Sequence, residues 1–311
     1  MSRVPRRSFL ATLTVGALGV PRLSRAGSEP VRLPLSFSTL GCPGWSWKRI
    51  LGEAQRLGYA AIELRGLMGE MNLPRCAELQ PSRINATKAD LSAAGLTLAS
   101  LDASAHMHEA EPAARQAQLD EARRFIDLAA SLGAPFVRVF GDHIPPGDDS
   151  RRVVTRVVSG LQTLAEHARG TGVVVLLETH GDFTSSDSLA AIMEGVGRPE
   201  VRLLWDTHHT FVSGGEQPST TFARIGKWVC HTHIKDSRPD GNDRRYVLLG
   251  QGTVPVQEIV QVLASGGYAG FYSFEWEKVW HPEIEEPEVA VPQYASVMKE
   301  YLAAAGVRAS G

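Results

Sequence analysis

The sequence contains little cysteine and few charged residues. Three cysteines, Cys42, Cys76 and Cys230, are spread over 311 residues, which excludes a disulfide scaffold and a zinc module built on cysteine pairs. Charged residues make up 21% and hydrophobic residues 43%, which excludes a disordered, collagen-like or coiled-coil chain. The remaining composition is that of a globular protein, long enough for one large domain or two smaller ones.

The chain also has little net charge, with 32 basic and 34 acidic residues. Residues 1–26 hold five arginines and no acidic residue, so the rest of the chain carries a formal charge of −7. The net negative charge of residues 27–311 argues against binding to nucleic-acid backbones or to anionic membranes. We therefore expect no nucleic-acid partner.

Residues 1–26 have the pattern of an export signal. The pair Arg6-Arg7 precedes a 12-residue uncharged run, FLATLTVGALGV, and Ser24-Arg25-Ala26 places small residues at the cleavage-determining positions. The run is too short to span a bilayer as a helix. The paired arginines resemble a twin-arginine signal, and a general secretory signal is the alternative.

From this signal we expect a mature domain over residues 27–311 that works in the periplasm or outside the cell. We expect no stable membrane insertion once the signal is removed. The sequence leaves the oligomeric state open, a homo-oligomer included.

The mature part alternates short apolar runs with amphipathic stretches. The runs lack strict polar alternation, which is typical of parallel strands covered on both faces. The predicted strands are 33–39, 60–64, 97–101, 136–140, 173–177, 201–205, 229–234 and 271–274. The predicted helices are 47–57, 82–94, 113–132, 151–169, 186–194, 220–225, 256–264 and 292–304.

Eight strand–helix units in one continuous stretch predict the α/β class and a single (β/α)8 TIM barrel. Glycines such as Gly58 and Gly133 close the helices just before the next strand. An open doubly wound sheet is the competing fold, but its first turn usually carries a glycine-rich phosphate fingerprint. The first turn here, GCPGW, is not such a fingerprint.

Four residues with metal-binding chemistry stand at the ends of the last four predicted strands. Glu178 follows VVVLL, Asp206 follows VRLLW, His233 lies near the end of VCHTHI, and Glu275 follows FYSF. In a barrel these positions face a shared mouth at the carboxyl ends of the strands. Three carboxylates converging there would repel one another unless a cation lay between them.

This donor set suits one divalent ion with positions open for substrate. Three oxygen ligands and one imidazole favour Mn²⁺, Mg²⁺, Co²⁺ or Fe²⁺ over Zn²⁺, which prefers tetrahedral sites with nitrogen and sulfur ligands. The alternative for each residue alone is a helix cap or a salt-bridged carboxylate at the barrel rim.

The stretches LLETH, WDTHH, HTHIKD and GYAGFYSFEWE resemble the sugar phosphate isomerase/epimerase family. That family shares its metal-binding barrel with xylose isomerase-like enzymes and apurinic endonucleases. The resemblance implies that Glu178, Asp206, His233 and Glu275 bind one divalent metal and that His209 contacts substrate. It also implies catalytic proton transfer by Glu178 and Glu275.

Three further residues are candidates for binding substrate. His180 lies two residues past Glu178 and points the same way if the strand continues, so it could hold a hydroxyl group. Epimerases of the family carry an arginine six residues after the metal-binding histidine. Here Arg238 lies five residues after it, and Lys235 is the second candidate.

Other polar residues are expected to have structural roles. Glu63 and Arg138 could pair across the barrel interior. We expect His231 to be a hydrogen-bonded core histidine, and His106 and His108 to form a pair on a surface loop.

The resemblance implies an exported, metal-dependent isomerase or epimerase that acts on a sugar or keto-sugar through a cis-enediolate. A lyase or hydrolase of keto-sugars or keto-glycosides would use the same site and is the first alternative. A sugar-binding protein without catalysis is the second. An apurinic endonuclease is disfavoured because the loop after the seventh strand, DSRPDGNDRRYVLLGQG, has no histidine.

Overall fold

The computed structural model describes residues 32–309, and eight of its strands close into one parallel barrel. The export signal predicted for residues 1–26 lies outside this described part. The barrel strands are β1 (Leu35–Ser38), β2 (Ala61–Leu64), β3 (Thr97–His106), β4 (Phe136–Phe140), β5 (Val174–Glu178), β6 (Val201–Asp206), β7 (Val229–Ile234) and β10 (Tyr272–Phe274). Each strand pairs with its neighbours in chain order, and β10 closes the ring against β1. The predicted (β/α)8 barrel is confirmed.

Nine α-helices surround the barrel among the described residues. They are α1 (Trp47–Leu57), α2 (Ile84–Ala93), α3 (Pro112–Leu132), α4 (Ser150–Ala168), α5 (Ser186–Val196), α6 (Thr207–Val212), α7 (Pro218–Ile225), α8 (Val256–Ser265) and α9 (Pro287–Ala304). Short 3₁₀ turns cover Thr39–Gly41, Leu73–Arg75, Ala77–Leu79 and Gly226–Trp228. No helix in the part of the chain described here is both long and apolar enough to cross a membrane.

Local sequence explains where the helices begin and end. The Ser46 hydroxyl accepts a hydrogen bond from the Arg49 backbone N–H at the start of α1, and Gly58 ends that helix at φ 81°. Gly133 ends α3 in the same way at φ 79°. A side chain at either glycine would be strained in this left-handed backbone conformation.

Most boundaries agree with the sequence predictions to within two residues, but two differ by five residues and one short helix was not predicted. β3 continues five residues past the predicted end at 101, because the polar residues that follow still pair with β4 through Asp102↔Arg138 and His106↔Phe140. α9 begins at Pro287 rather than at Pro292, which lies inside the helix. The short helix α6, which starts directly after Asp206, is missed because its sequence, THHTFV, has no clear helical periodicity.

An antiparallel hairpin follows β7 and was not predicted. Its strands are β8 (Asp236–Asp240) and β9 (Asp243–Val247). The sequence DSRPDGNDRRYV is polar and contains proline, so it predicts a loop rather than strands. The hairpin lies after the carboxyl end of β7, and Tyr246 on β9 reaches the pocket described below.

Candidate metal centre and pocket

The four predicted ligands meet at the carboxyl end of the barrel. Glu178 is the last residue of β5, Asp206 the last of β6, His233 the fifth of β7, and Glu275 directly follows β10. Each offers one ligand atom, and these four atoms all lie within 4.8 Å of one another. All four side chains are buried. Residues separated by almost 100 positions are therefore close enough to share one ion.

The His233 ring supports a ligand role through its Nδ1 atom. Nδ1 lies 3.2 Å from a Glu275 oxygen, 3.4 Å from a Glu178 oxygen and 3.8 Å from an Asp206 oxygen. It has no hydrogen-bond partner among residues 32–309. A nitrogen lone pair that faces three carboxylates is stable only with a positive charge between them, either a proton or a metal ion.

The charge around His233 also shifts its pKa. Burial alone would lower this pKa, but the carboxylates of Glu275, Glu63 and Glu178 raise it well above the usual histidine value. A proton on Nδ1 and a divalent ion are thus alternative occupants of the same position.

Glu63 fixes the other side of the His233 ring. Its Oε1 lies 3.1 Å from His233 Nε2, and its Oε2 lies 2.6 Å from His231 Nε2 and 3.0 Å from the Ser273 hydroxyl. Carboxylates hydrogen-bonded to the outer nitrogen of a ligand histidine are a common feature of metal sites, since they fix the tautomer and the ring orientation. The predicted Glu63–Arg138 pair is wrong, because these groups on β7 and β10 take both Glu63 oxygens. His231 is the hydrogen-bonded core histidine that we expected.

Arg138 instead pairs with Glu178, one of the four predicted ligands. Its Nε lies 3.1 Å from Glu178 Oε2, and a terminal nitrogen lies 3.6 Å from Asp102. The guanidinium carbon lies 3.9 Å from the centre of the Phe140 ring, within the range of a cation–π contact. Burial alone would raise the pKa of Glu178, but the charges of Arg138 and His233 hold it below its usual value.

Lys235 lies inside the site rather than at its edge. Its buried ammonium is 2.7 Å from Asp206 Oδ2 and 2.6 Å from Glu277 Oε1, and it also contacts Glu275. Glu277 was not identified from the sequence, although its position two residues after Glu275 places it on the same side of an extended chain. Any contact of Lys235 with substrate, as predicted from the sequence, would have to compete with these three ion pairs.

The cations of the chain do not balance the carboxylates of this cluster. Burial and the neighbouring Glu63 raise the pKa of Asp102 well above its usual value, so it adds no charge to the cluster. Among the described residues, five other buried carboxyl groups then stand against three buried cationic side chains: Glu63, Glu178, Asp206, Glu275 and Glu277 against Arg65, Arg138 and Lys235. Burial, together with Glu275 and Glu178, raises the pKa of Asp206 to about 6 despite the opposing charge of Lys235. The donor set, the unpartnered Nδ1 and this charge deficit all fit a divalent cation.

A cavity of about 150 Å³ opens beside the four ligands. Glu178 and Glu275 line it directly, and the rest of its wall combines aromatic, imidazole and charged groups: Leu40, Arg65, Arg138, Phe140, His180, His209, Lys235, Tyr246, Glu277, Trp280 and His281. Aromatic faces and hydrogen-bonding groups around such a cavity suit a small polar ligand such as a sugar.

His209 and His180 form one wall of this cavity. Their ring centres are 4.7 Å apart in an edge-to-face arrangement. The His209 backbone N–H donates to Asp206 Oδ1 at 2.9 Å, and its ring Nε2 lies 3.6 Å from Asp206 Oδ2. Burial and the nearby Lys235 charge hold the pKa of His209 well below its usual value, so its ring is neutral. Both predicted histidines therefore face the cavity.

Arg238 is the one predicted site residue that the structure places elsewhere. It lies on β8 with its side chain exposed, and it does not line the cavity. Tyr246 on β9 lines the cavity instead. No sequence signal pointed to it, because the hairpin itself was not predicted.

Comparison with known proteins identifies the family of the chain. The family model described as xylose isomerase-like TIM barrel matches residues 51–301. The inosose dehydratase of Bacillus licheniformis is 27% identical over 159 residues, or 46% of this chain and 47% of the relative. The match to that dehydratase thus spans about half of its length.

Two further similarities cover more of the chain. The fructoselysine 3-epimerase of Shigella flexneri is 24% identical over 234 residues, which is 72% of this chain and 82% of the epimerase. A xylose isomerase-like TIM barrel protein from Mycobacterium smegmatis, solved in complex with magnesium, aligns over 88% of this chain and 96% of its own, with 19% identity and a TM-score of 0.64. By its family match and its fold, the chain belongs to the xylose isomerase-like TIM barrel family.

Proposed function

We propose that this protein is a divalent-metal-dependent enzyme that isomerises or epimerises a sugar or keto-sugar. The convergence of Glu178, Asp206, His233 and Glu275 beside a cavity is the observation that carries the proposal. The relatives support the substrate class, since one is a fructoselysine 3-epimerase and another an inosose dehydratase. The magnesium complex of a structural neighbour supports a hard divalent ion.

The chemistry requires removal of a proton next to a carbonyl group. A bound divalent ion would polarise the carbonyl and an adjacent hydroxyl and so make the neighbouring C–H more acidic. Glu178 and Glu275 both line the cavity and are held ionised, since the nearby cationic groups lower their pKa values despite burial. Either carboxylate can take the proton, and the other can return it to a different carbon or face.

The remaining cavity residues would orient the substrate. The neutral ring of His209 and the ring of His180 offer hydrogen-bonding nitrogens, and Trp280 and Tyr246 offer aromatic faces to a sugar ring. Lys235 holds Asp206, Glu275 and Glu277 in place through its ion pairs. The cavity walls would thus fix which carbon of the substrate lies near the two glutamates.

Solvent exchange tests this proposal directly. In D₂O with Mn²⁺, a panel of free keto-sugars should incorporate deuterium at the carbon next to the carbonyl. Glu178→Gln and Glu275→Gln should each reduce incorporation by at least about 100-fold, the lower range for loss of a catalytic acid or base. Glu166→Gln, an exposed carboxylate on α4, is the matched control and should keep full activity.

The same experiment separates the alternatives. A dehydratase, which the inosose dehydratase similarity favours as the second candidate, would give a product lighter by one water molecule. Binding of a keto-sugar without exchange or turnover in the metal-loaded protein would contradict catalysis and leave a sugar-binding protein.

We further propose that the protein acts after export, with free sugars or glycosides as substrates rather than sugar phosphates. The support is the Arg6-Arg7 pair and the uncharged run after it. Cell fractionation should find the wild-type chain outside the cytoplasm and the Arg6→Lys/Arg7→Lys variant inside it. An unchanged location of that variant would contradict the twin-arginine route.

A further inference from the structure

A second group of potential metal ligands lies at the end of β3 and on the loop that follows it, apart from the four-residue centre. We call His106, His108 and Glu109 the loop cluster. Glu109 Oε1 lies 2.9 Å from His106 Nε2 and 3.9 Å from His108 Nε2, and the three ligand atoms all lie within 4.8 Å of one another. Ligands around one ion at bond lengths near 2.0–2.1 Å are separated by roughly 3–4 Å, so these distances are suitable.

The outer ring nitrogens of both histidines face backbone carbonyl groups. His108 Nδ1 lies 3.1 Å from the Gly141 oxygen, which must accept a proton from it. His106 Nδ1 lies 3.4 Å from the Ser104 oxygen. This arrangement assigns the hydrogen of His108 to Nδ1 and leaves a lone pair on Nε2, the tautomer that a metal-binding histidine needs. Burial lowers the pKa of His108, which favours its neutral form.

The loop backbone is fixed before any ion binds. Met107 is buried, and its N–H donates to the Phe140 carbonyl at 2.9 Å. The Arg156 side chain donates to the His108 carbonyl at 2.8 Å. Since the Met107 side chain points into the core, its neighbours His106 and His108 project together on the opposite side, where their rings stack with centres 4.7 Å apart.

We propose that His106, His108 and Glu109 form a second metal site, one that binds borderline divalent ions such as Zn²⁺, Ni²⁺ or Cu²⁺. Two imidazole nitrogens and one carboxylate oxygen suit these ions better than Mg²⁺ or Mn²⁺. The two ring planes lie within 16° of parallel, so binding requires one ring to turn about its χ2 bond, a soft torsion in histidine. The side chains are 11–28% exposed, so an ion can enter from solvent.

The number of ions bound per chain tests the site. We would dialyse the full, chelator-treated chain against buffered micromolar Zn²⁺ and measure bound metal by elemental analysis. The wild-type chain should bind one equivalent more than His106→Gln or Glu109→Gln, whether or not the four-residue centre also takes Zn²⁺. Loss of one of three ligands should weaken the site by at least about 10-fold, the lower bound known even for outer-shell changes.

His167→Gln is the matched control. His167 Nε2 lies 2.8 Å from Asp127 Oδ1 on the outer helices, so it forms the same kind of histidine–carboxylate pair, but it belongs to none of the three- or four-ligand groups found in residues 32–309. This variant should bind as much Zn²⁺ as the wild type. A His106→Gln variant that binds as much Zn²⁺ as the wild type, with an unchanged melting temperature, would overturn the proposal.

Discussion

At the scale of single residues, the proposed metal centre depends on groups that hold the four predicted ligands in place as well as on the ligands themselves. Glu63 contacts Nε2 of His233, while Nδ1 of the same ring faces the carboxylates of the cluster, and Lys235 contacts two of the predicted ligand carboxylates directly. Glu63 therefore fixes the orientation of the His233 ring. Lys235 instead places a positive charge beside two carboxylates that a metal ion would also bind. Removal of Glu63 and removal of Lys235 should change metal affinity in opposite directions.

Glu63→Gln should weaken metal binding by about 10- to 100-fold, the range for residues that support a metal-bound histidine. An amide at this position keeps a carbonyl acceptor for one ring but adds a donor and removes the charge that favours the His233 tautomer. Titration calorimetry with Mn²⁺ measures the change. Asp127→Asn, at the exposed His167 pair, should leave affinity unchanged, and equal affinity in both variants would contradict the role of Glu63.

Lys235→Met should strengthen metal binding, since it removes a cation that competes for Asp206 and Glu275. The metal-free protein should become less stable, because three buried carboxylates then lose their partner. Lys278→Met is the control: Lys278 is also buried and paired, but with Glu286 and two carbonyls outside the centre. Calorimetry that shows weaker Mn²⁺ binding in the Lys235 variant would instead make Lys235 a support of the loaded site.

At the scale of elements, parallel strands bring distant residues together, and the positions of the strand ends can be predicted from the sequence. Three of the four ligands follow runs of apolar residues, so the barrel count alone predicted where they would meet. Side-chain partners inside the barrel were harder to predict. The error at Glu63 arose because strand order gives the neighbours of a residue but not which of several polar groups across the interior will reach it.

The hairpin after β7 shows a second limit of prediction from the sequence. Its strands are polar and mostly solvent-exposed, so they lack the apolar pattern that identifies a strand. What holds the hairpin is one buried carboxylate, Asp236, whose oxygens accept hydrogen bonds from four backbone N–H groups between 2.8 and 3.2 Å: Ser237, Gly250, Gly252 and Val254. Long-range contacts of this kind leave no periodic signal in the sequence.

Asp236→Ala should therefore destabilise the fold by about 3 kcal/mol, since hydrogen bonds to a charged group contribute about 1.5–3 kcal/mol and several backbone donors would be left unpaired. Chemical denaturation of the metal-free chain measures the loss. Because the loop also positions Tyr246 at the cavity, KM for the keto-sugar should rise as well. Asp243→Asn, at an exposed position on the same hairpin, should change neither the unfolding free energy nor KM. A loss of stability below about 0.5 kcal/mol in the Asp236→Ala variant would contradict the structural role of Asp236.

At the scale of the whole molecule, the charge deficit of the centre links stability to pH and metal. In the metal-free fold the Asp206 pKa is raised to about 6 by burial and by Glu275 and Glu178. A raised carboxyl pKa means that the folded chain binds this proton more tightly than the unfolded chain. This contribution to stability is complete below the unfolded value near 4 and is lost as the pH rises through about 6.

A divalent ion reverses this dependence because it takes the place of protons on Asp206 and on His233 Nδ1. We expect the rise in melting temperature on addition of saturating Mn²⁺ to be small at pH 5 and to grow up to pH 7.5. At an ion concentration of 100 times Kd the stabilisation should be about 2.7 kcal/mol. Scanning calorimetry with and without chelator measures both curves.

Asp206→Asn provides the control for this pH dependence, because an amide at that position cannot be ionised. Without metal, the variant should lose less stability than the wild type between pH 4 and pH 7, since one of three repelling carboxylates has become neutral. With metal, it should show a smaller stabilisation at pH 7.5. A metal effect that is independent of pH in the wild type would mean that the ion does not replace these protons, and the four side chains would then have to bind it in an arrangement other than the one described.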